Sequence, residues 1–334
     1  DITGDDWLDV VMTAQGGTVF LYNDGTGRLT EGEPPVIDVE GGWPGGQAIA
    51  AVDLEQDGDW DLYLGRARDS DLIAWREGDG FRVEVLPDAE GSAFSGHFAD
   101  ADGDGDLDLM VANGYFDVEA EDVVSGLVTG DENRLYFQEG GRFVDATDRL
   151  PADSLDGMTF QAAWVDVESD GDLDLYIAND AGPWIAPNLL LLNDGAGNFT
   201  RASDCTCELA MYAMGVAITD IEHDGDPDLY ITDVGGPNLL VGDGDGTFYD
   251  GTLAAGADDA DNLAGRVAAR RRVRRGAAPS AAPARNPSCG RHQNPAGVHD
   301  ATSETIQGQL ARLRRKQLHA RIEDSRARRR LHAA

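Results

Sequence analysis

One nine-residue pattern returns five times along this 334-residue chain, and its acids are spaced to gather around a cation. The copies read DITGDDWLD from Asp1, DLEQDGDWD from Asp53, DADGDGDLD from Asp100, DVESDGDLD from Asp166 and DIEHDGDPD from Asp220. Side chains at positions 1, 3, 5 and 9 can converge on one point, and a backbone carbonyl at position 7 can complete the shell. The candidate ligands are Asp1, Thr3, Asp5, Trp7 (through its carbonyl) and Asp9 in the first loop, and Asp53, Glu55, Asp57, Asp59 and Asp61 in the second. They continue as Asp100, Asp102, Asp104, Asp106 and Asp108, then Asp166, Glu168, Asp170, Asp172 and Asp174, then Asp220, Glu222, Asp224, Asp226 and Asp228. Hard oxygen donors in that number suit Ca²⁺, which accepts six to eight in flexible geometry, better than Mg²⁺ with its tight octahedron. Gly58, Gly105, Gly171 and Gly225 at position 6 permit a sharp turn. The first loop has Asp6 there and Thr3 at position 3, so it is expected to be the weakest of up to five sites. An EF-hand would need a bidentate Glu at position 12 and flanking helices. Position 12 here is Met12, Leu64, Val111, Ile177 and Ile231, which excludes that reading.

The elements that must hold these loops are strands. Each loop runs into an apolar stretch: Val10-Val11-Met12, Leu62-Tyr63-Leu64, Leu109-Met110-Val111, Leu175-Tyr176-Ile177 and Leu229-Tyr230-Ile231. Four loops follow a small or apolar run, such as Ala48–Val52. Downstream come hairpin signals: Asn23-Asp24-Gly25, Gly78-Asp79-Gly80, Gly140-Gly141, Asn193-Asp194-Gly195 and Asp243-Gly244-Asp245-Gly246. The loops start 52, 47, 66 and 54 residues apart. About four short strands in such a repeat is the unit of a β-propeller blade, so the chain is expected to be an all-β propeller of four-stranded blades. The third repeat is stretched by Phe116–Gly130, a long loop expected to serve recognition.

Charge divides the chain into two domains. Residues 1–261 hold 9 Arg, no Lys and 58 acids, whereas residues 262–334 hold 17 basic residues, 4 acids and no aromatic. Of the 58 acids, 34 lie outside the five loops, so acidity alone would mean only a soluble surface; the fixed spacing is what points to metal. The net charge of −36 argues against nucleic acid as a partner. No apolar run is long enough to span a membrane as a helix. The chain begins at Asp1 with no leader-like segment, as expected of a processed product or a fragment. A sixth loop would fall near residue 275, where Arg270–Arg275 form a basic run instead. Codons for Asp and Gly read one base early encode Arg, so residues 262–334 are expected to be a disordered tail or out-of-frame translation, with a slip near residues 262–266.

The stretch MGVAITDIEHDGDPDLYITDVGGPNLLVGDGDGTFYD resembles FG-GAP/VCBS repeats, in the style of the bacterial ASPIC/UnbV-type family, and HFADADGDGDLDLMVAN and WVDVESDGDLDLYIAND match equally well. The resemblance covers residues 1–260. It implies a secreted, surface or periplasmic β-propeller with calcium in its blade loops, related to those of integrin α-subunits and used for interaction rather than chemistry. Propellers of the family usually have seven blades, against five loops here, so a ring truncated from about seven is expected.

The remaining chemistry-bearing residues weigh less. His97 and His223 lie in or beside loops and are expected to be hydrogen-bonding residues rather than catalysts. Trp7, Trp60 and Trp164 are expected to pack between blades, while Trp43, Trp75 and Trp184 are better placed to stack on a sugar. Cys205 and Cys207 are too close for a zinc site alone and leave a local disulfide or two thiols open. No nucleophile, phosphate-loop or dinucleotide motif is present. The expected function is a non-enzymatic, extracellular, calcium-binding propeller mediating protein or glycan adhesion. The alternative is the accessory or catalytic propeller of a secreted carbohydrate-active enzyme.

Overall fold

The computed structural model describes residues 1–114, Val123, 129–203, 205–233 and 236–257. The expected tail and nearly all of Phe116–Gly130 lie outside them. The chain divides into Asp1–Ala268 and Ala269–Ala334, and the described residues all belong to the first unit.

The first blade is β1 (Val10–Ala14), β2 (Gly17–Asn23) and β3 (Leu29–Glu31), a three-stranded antiparallel sheet rather than the expected four. The second comprises β5 (Ala48–Val52), β6 (Asp61–Gly65), β7 (Ala67–Glu77) and the start of β8 (Gly80–Ala99). The third takes the end of β8, then β9 (Asp108–Asn113), β10 (Arg134–Gln138) and β11 (Phe143–Asp145). The fourth is β12 (Met158–Val165), β13 (Asp174–Asp180), β14 (Leu189–Asn193) and β15 (Phe199–Arg201). The fifth is β16 (Ala213–Thr219), β17 (Asp228–Asp233), β18 (Asn238–Gly242) and β19 (Phe248–Asp250). The short β4 (Val36–Ile37) pairs in parallel with the start of β8. Every apolar run that follows a loop is a strand, and every hairpin signal falls between the last two strands of its blade.

Blades two and three depart from separate sheets because β8 is continuous for 20 residues. Its first part pairs with β7 (Val85 opposite Leu72) and its last part with β9 (Ala99 opposite Asp108). Register shifts on both sides let one strand serve two blades, merging them into one sheet.

Successive blades bury their faces against each other, which makes the architecture β-propeller-like. β6 and β9 are buried along their whole length, because both faces of a sandwiched blade are covered. One core unites Phe20 of the first blade with Leu62 and Leu64 of the second. Another joins Tyr63 and Trp75 to Val111 and Tyr136, a third joins Met110 and Phe137 to Leu175 and Ile177, and a fourth joins Tyr176 to Leu229 and Ile231. Each such side chain contributes about 1.5–3 kcal/mol when fully buried. β1 instead alternates exposed and half-buried residues, with Val10 and Met12 facing outward.

Candidate metal centre

All five acidic loops lie at the same edge of the blades. Loops two to five join the first strand of a blade to the second, and loop one leads into β1. Each loop is built on its own carboxylates. The aspartate at position 1 accepts backbone N–H groups from residues three to five further on: Asp53 takes Asp57 and Gly58 (both 3.0 Å), and Asp100 takes Gly103 (2.9 Å) and Gly105 (3.1 Å). Asp166 and Asp220 repeat the arrangement, and Asp1 accepts from Gly4, Asp5 and Asp6. The aspartate at position 5 accepts the N–H of position 7, as in Asp104 with Asp106 (2.9 Å) and Asp170 with Asp172 (3.1 Å). Position 6 turns left-handed in every loop: Gly58, Gly105, Gly171 and Gly225 have φ between 95° and 100°, and Asp6 takes φ 70° at the cost of a Cβ clash.

The position-9 aspartates do a second job. Asp108 is buried, and each of its oxygens takes a backbone N–H, from Ala101 (2.8 Å) and from Gln138 (2.9 Å). Asp61 joins Leu54 to Arg76, Asp174 joins Val167 to Asn193, and Asp228 joins Ile221 to Gly242 in the same way. In the first blade Asp9 joins Ile2 to Asn23. Each therefore clamps the start of its loop to the last strand but one of its own blade. Burial pushes Asp108 up to about 7 and Asp174 up to about 6, and raises Asp61. Asp102 is also raised, first by burial and then by the carboxylate of Asp104. These are groups whose ionised form a bound cation would favour.

Carboxylate oxygens of Asp100, Asp102 and Asp108 lie within 4.8 Å of one another, the only such trio among the described residues. Each oxygen that accepts one N–H keeps a second lone pair, so the hydrogen bonds leave capacity for a metal. A hard oxygen set at this separation fits Ca²⁺. Two other position-3 side chains have partners of their own: Glu222 accepts the Tyr249 hydroxyl (2.7 Å), and Thr3 donates to Asp1 of the same loop (3.5 Å). At position 7, Asp172 and Asp226 lie over the hairpin glycines Gly195 and Gly244 of their own blades.

The loops also join neighbouring blades, which the repeat pattern does not reveal. The carbonyl at position 2 accepts from the blade that follows: Ile2 from the Arg76 guanidinium (3.1 Å), Leu54 from the Gln138 amide (3.2 Å) and Ala101 from the Asn193 amide (2.7 Å). Arg76, Gln138 and Asn193 are the same residues whose N–H groups reach the position-9 aspartates. In the fifth blade that place is Gly242, with no side chain, and the N–H of Gly246 meets the Val167 carbonyl instead (3.0 Å).

The repeats account for this organisation. The chain matches the FG-GAP-like repeat over residues 1–64, 53–111 and 166–231, more than half of its length. It belongs to the FG-GAP-like repeat family. This FG-GAP-like chain is similar to cartilage acidic protein 1 of Xenopus tropicalis, at 26% identity over 238 residues, covering 63% of this chain and 36% of that protein. The Homo sapiens protein of the same name is 25% identical over 239 residues, covering 63% and 35%. The chain thus spans about a third of the length of these relatives. Among solved structures, similarity reaches a lectin of Agrocybe aegerita that recognises non-reducing terminal N-acetylglucosamine (TM-score 0.46, 18% identity, 75% of this chain and 63% of that one). The biofilm matrix protein Bap1 of V. cholerae follows (TM-score 0.44, 16% identity, 74% and 37%).

The aromatic expectations need correction. Trp75 is 0% exposed, stacks on Phe143 and donates to Glu84, so it is core and no sugar platform. Trp43 is wedged between Phe20 and Phe81. Trp7 and Trp60, expected between blades, are instead 50% and 40% exposed on their loops. Trp164 does pack between blades, on Phe199 and against the His97 carbonyl. Trp184 remains at the surface, its N–H on the exposed Tyr212 hydroxyl (2.8 Å). His97 accepts the Ala162 N–H across the blade interface, and burial lowers its pKa to about 4, so it is a neutral structural group. Cys205 and Cys207 are buried and joined as a disulfide.

Proposed function

We propose that this chain is a non-enzymatic binding propeller that works outside the cytoplasm, with Ca²⁺ held in its acidic loops and a protein or glycan ligand held on its blade surfaces. The observation that carries the reading is the carboxylate trio of Asp100, Asp102 and Asp108, set on a backbone scaffold that the other four loops share. In the third loop those three would hold the ion, with Asp104 and the Asp106 carbonyl nearby in sequence. The ion supplies positive charge where buried carboxylates crowd, and so stiffens the edge of each blade. The Cys205–Cys207 disulfide suits an oxidising compartment, and extracellular calcium modules bind at about 10⁻⁴–10⁻³ M.

The test has two arms. Calcium titration of the purified chain should show saturable binding that Asp102→Asn weakens, and a glycan array run with and without Ca²⁺ should show calcium-dependent capture. Absence of calcium binding at millimolar concentration overturns the metal reading.

A further inference from the structure

We infer that the chain assembles head to tail, the outer face of the fifth blade in one copy seating on the outer face of the first blade in a second copy.

Every blade boundary inside the chain is built from the same two half-faces. Counting each loop from its first aspartate, positions 10 and 12 are buried against the preceding blade, as Leu175 and Ile177 are in the fourth. Positions 2 and 11 are buried against the following blade, as Val167 and Tyr176 are. The first blade keeps the receiving half uncovered. Met12 is 47% exposed and Val10 faces outward beside it, although these positions are fully buried in the other four blades. The fifth blade keeps the opposite half uncovered. Ile221, at position 2, is 48% exposed, where the other four loops bury this residue. Tyr230, at position 11, is half-buried, where Tyr63 and Tyr176 are wholly buried. Apolar side chains gathered on one open face mark an interaction surface.

Hydrogen bonding repeats the complementarity. Asn23 is the first blade's counterpart of Asn193. Both give their N–H to the position-9 aspartate, donate a side-chain amide to the position-8 carbonyl (Leu8 and Leu173, each 3.1 Å) and accept from a hairpin glycine. Asn193 makes one bond more, to the position-2 carbonyl of the preceding blade. Asn23 makes no such bond among the described residues. At the other end, Ile221 carries the position-2 carbonyl that the following blade caps in the other four loops, and no described residue donates to it. The fifth blade thus offers the acceptor that Asn23 lacks.

The two halves do not meet within one copy. Four cores unite consecutive blades, and none among the described residues unites the fifth with the first. A second copy brings to each open face the mate that its equivalents already have inside the chain. The two faces differ, so the contact is heterologous, each copy keeps one half free after binding, and assembly grows with concentration. The acidic loops do not forbid it. Internal boundaries already set one acidic loop beside the next, and at physiological ionic strength repulsion fades beyond about 8 Å.

Assembly of this kind requires neither the calcium nor the ligand proposed above, so calcium is held constant in the test. Sedimentation of the full chain should show a mass that rises with concentration in the micromolar range. Met12→Glu and Ile221→Glu each put an unpaired charge into one half of the contact. Each variant alone should be monomeric, with a thermal melt like wild type because both side chains are already half in solvent. Mixed in equal amounts, the two should form a dimer and nothing larger, since each still carries the half that the other has lost. A wild type that stays monomeric overturns the inference and places both faces under cover within one copy. A monomeric mixture of two folded variants overturns it as well. So does self-association that survives in either variant alone, which would make the contact one between like faces.

Discussion

The Asn193 side-chain amide donates to the Ala101 carbonyl at 2.7 Å, tying blade four to the acidic loop of blade three across 92 residues of chain. The same residue gives its own N–H to Asp174 and accepts from Gly195 and Gly197, so one buried side chain serves two blades and a hairpin. Asn193→Asp keeps the acceptor but loses both amide donors, and sets a carboxylate against the Ala101 carbonyl. Leaving buried groups unpaired costs about 1–3 kcal/mol. The urea midpoint should fall with the slope unchanged. A midpoint equal to wild type would show that the tie contributes nothing to stability.

The position-9 aspartates should separate scaffold from metal. Asp108→Asn presents an amide donor to one of two buried N–H groups, so it should lose about 1–3 kcal/mol even in excess chelator. Asp102→Asn should match wild type in chelator and fall behind it only when Ca²⁺ is present. Asp243→Ala, in a hairpin, should change neither. Thermal melts of the three variants with and without calcium read the difference directly.

Chelation itself should lower Tm, and Ca²⁺ should restore it better than Mg²⁺. A site filled at ten times its dissociation constant adds about 1.4 kcal/mol, so several filled loops would shift the melt by many degrees. A melt indifferent to chelator would leave the loops as acidic turns.

Asp71 should make stability depend on pH in an unusual direction. It is buried between the Tyr63 hydroxyl (2.7 Å) and the Arg66 N–H (2.7 Å), and burial pushes it up to about 7. From the ordinary carboxylate range up to about 7, the folded state keeps a proton that the unfolded state has released. Its contribution is therefore fully present below about pH 4 and is lost as pH rises toward 7. Asp71→Asn removes that slope, so the stability difference between the two proteins should shift in favour of the variant between pH 4 and 7. Parallel pH profiles would refute it.

The loops and the strands around them were legible in the sequence because both repeat locally. The acids recur at fixed offsets, and the strands follow within a few residues, as Leu175-Tyr176-Ile177 follows Asp174. What could not be read depends on partners far along the chain. Nothing near Gln138 signals that its amide ends on Leu54, 84 residues away. Trp7, Trp43, Trp60 and Trp75 were misplaced for the same reason: strand position does not tell which face a neighbour will cover. Trp75 lies under Phe143 of the next blade, whereas Trp60 is 40% exposed on its loop. The continuous β8 was hidden because Pro87, Asp88 and Gly91, at the point of transfer between the two blades, read as a turn rather than as the middle of a strand.

The ties from each loop to the following blade also impose an order of assembly. The carbonyls of Ile2, Leu54, Ala101 and Val167 find their partners only in the next blade. During synthesis at about 5–20 residues per second, a blade that has left the ribosome still has an open bond until its successor emerges. Nascent chains arrested at successive lengths should therefore gain protease resistance one blade late, in a staircase that lags the emerging sequence by a full repeat.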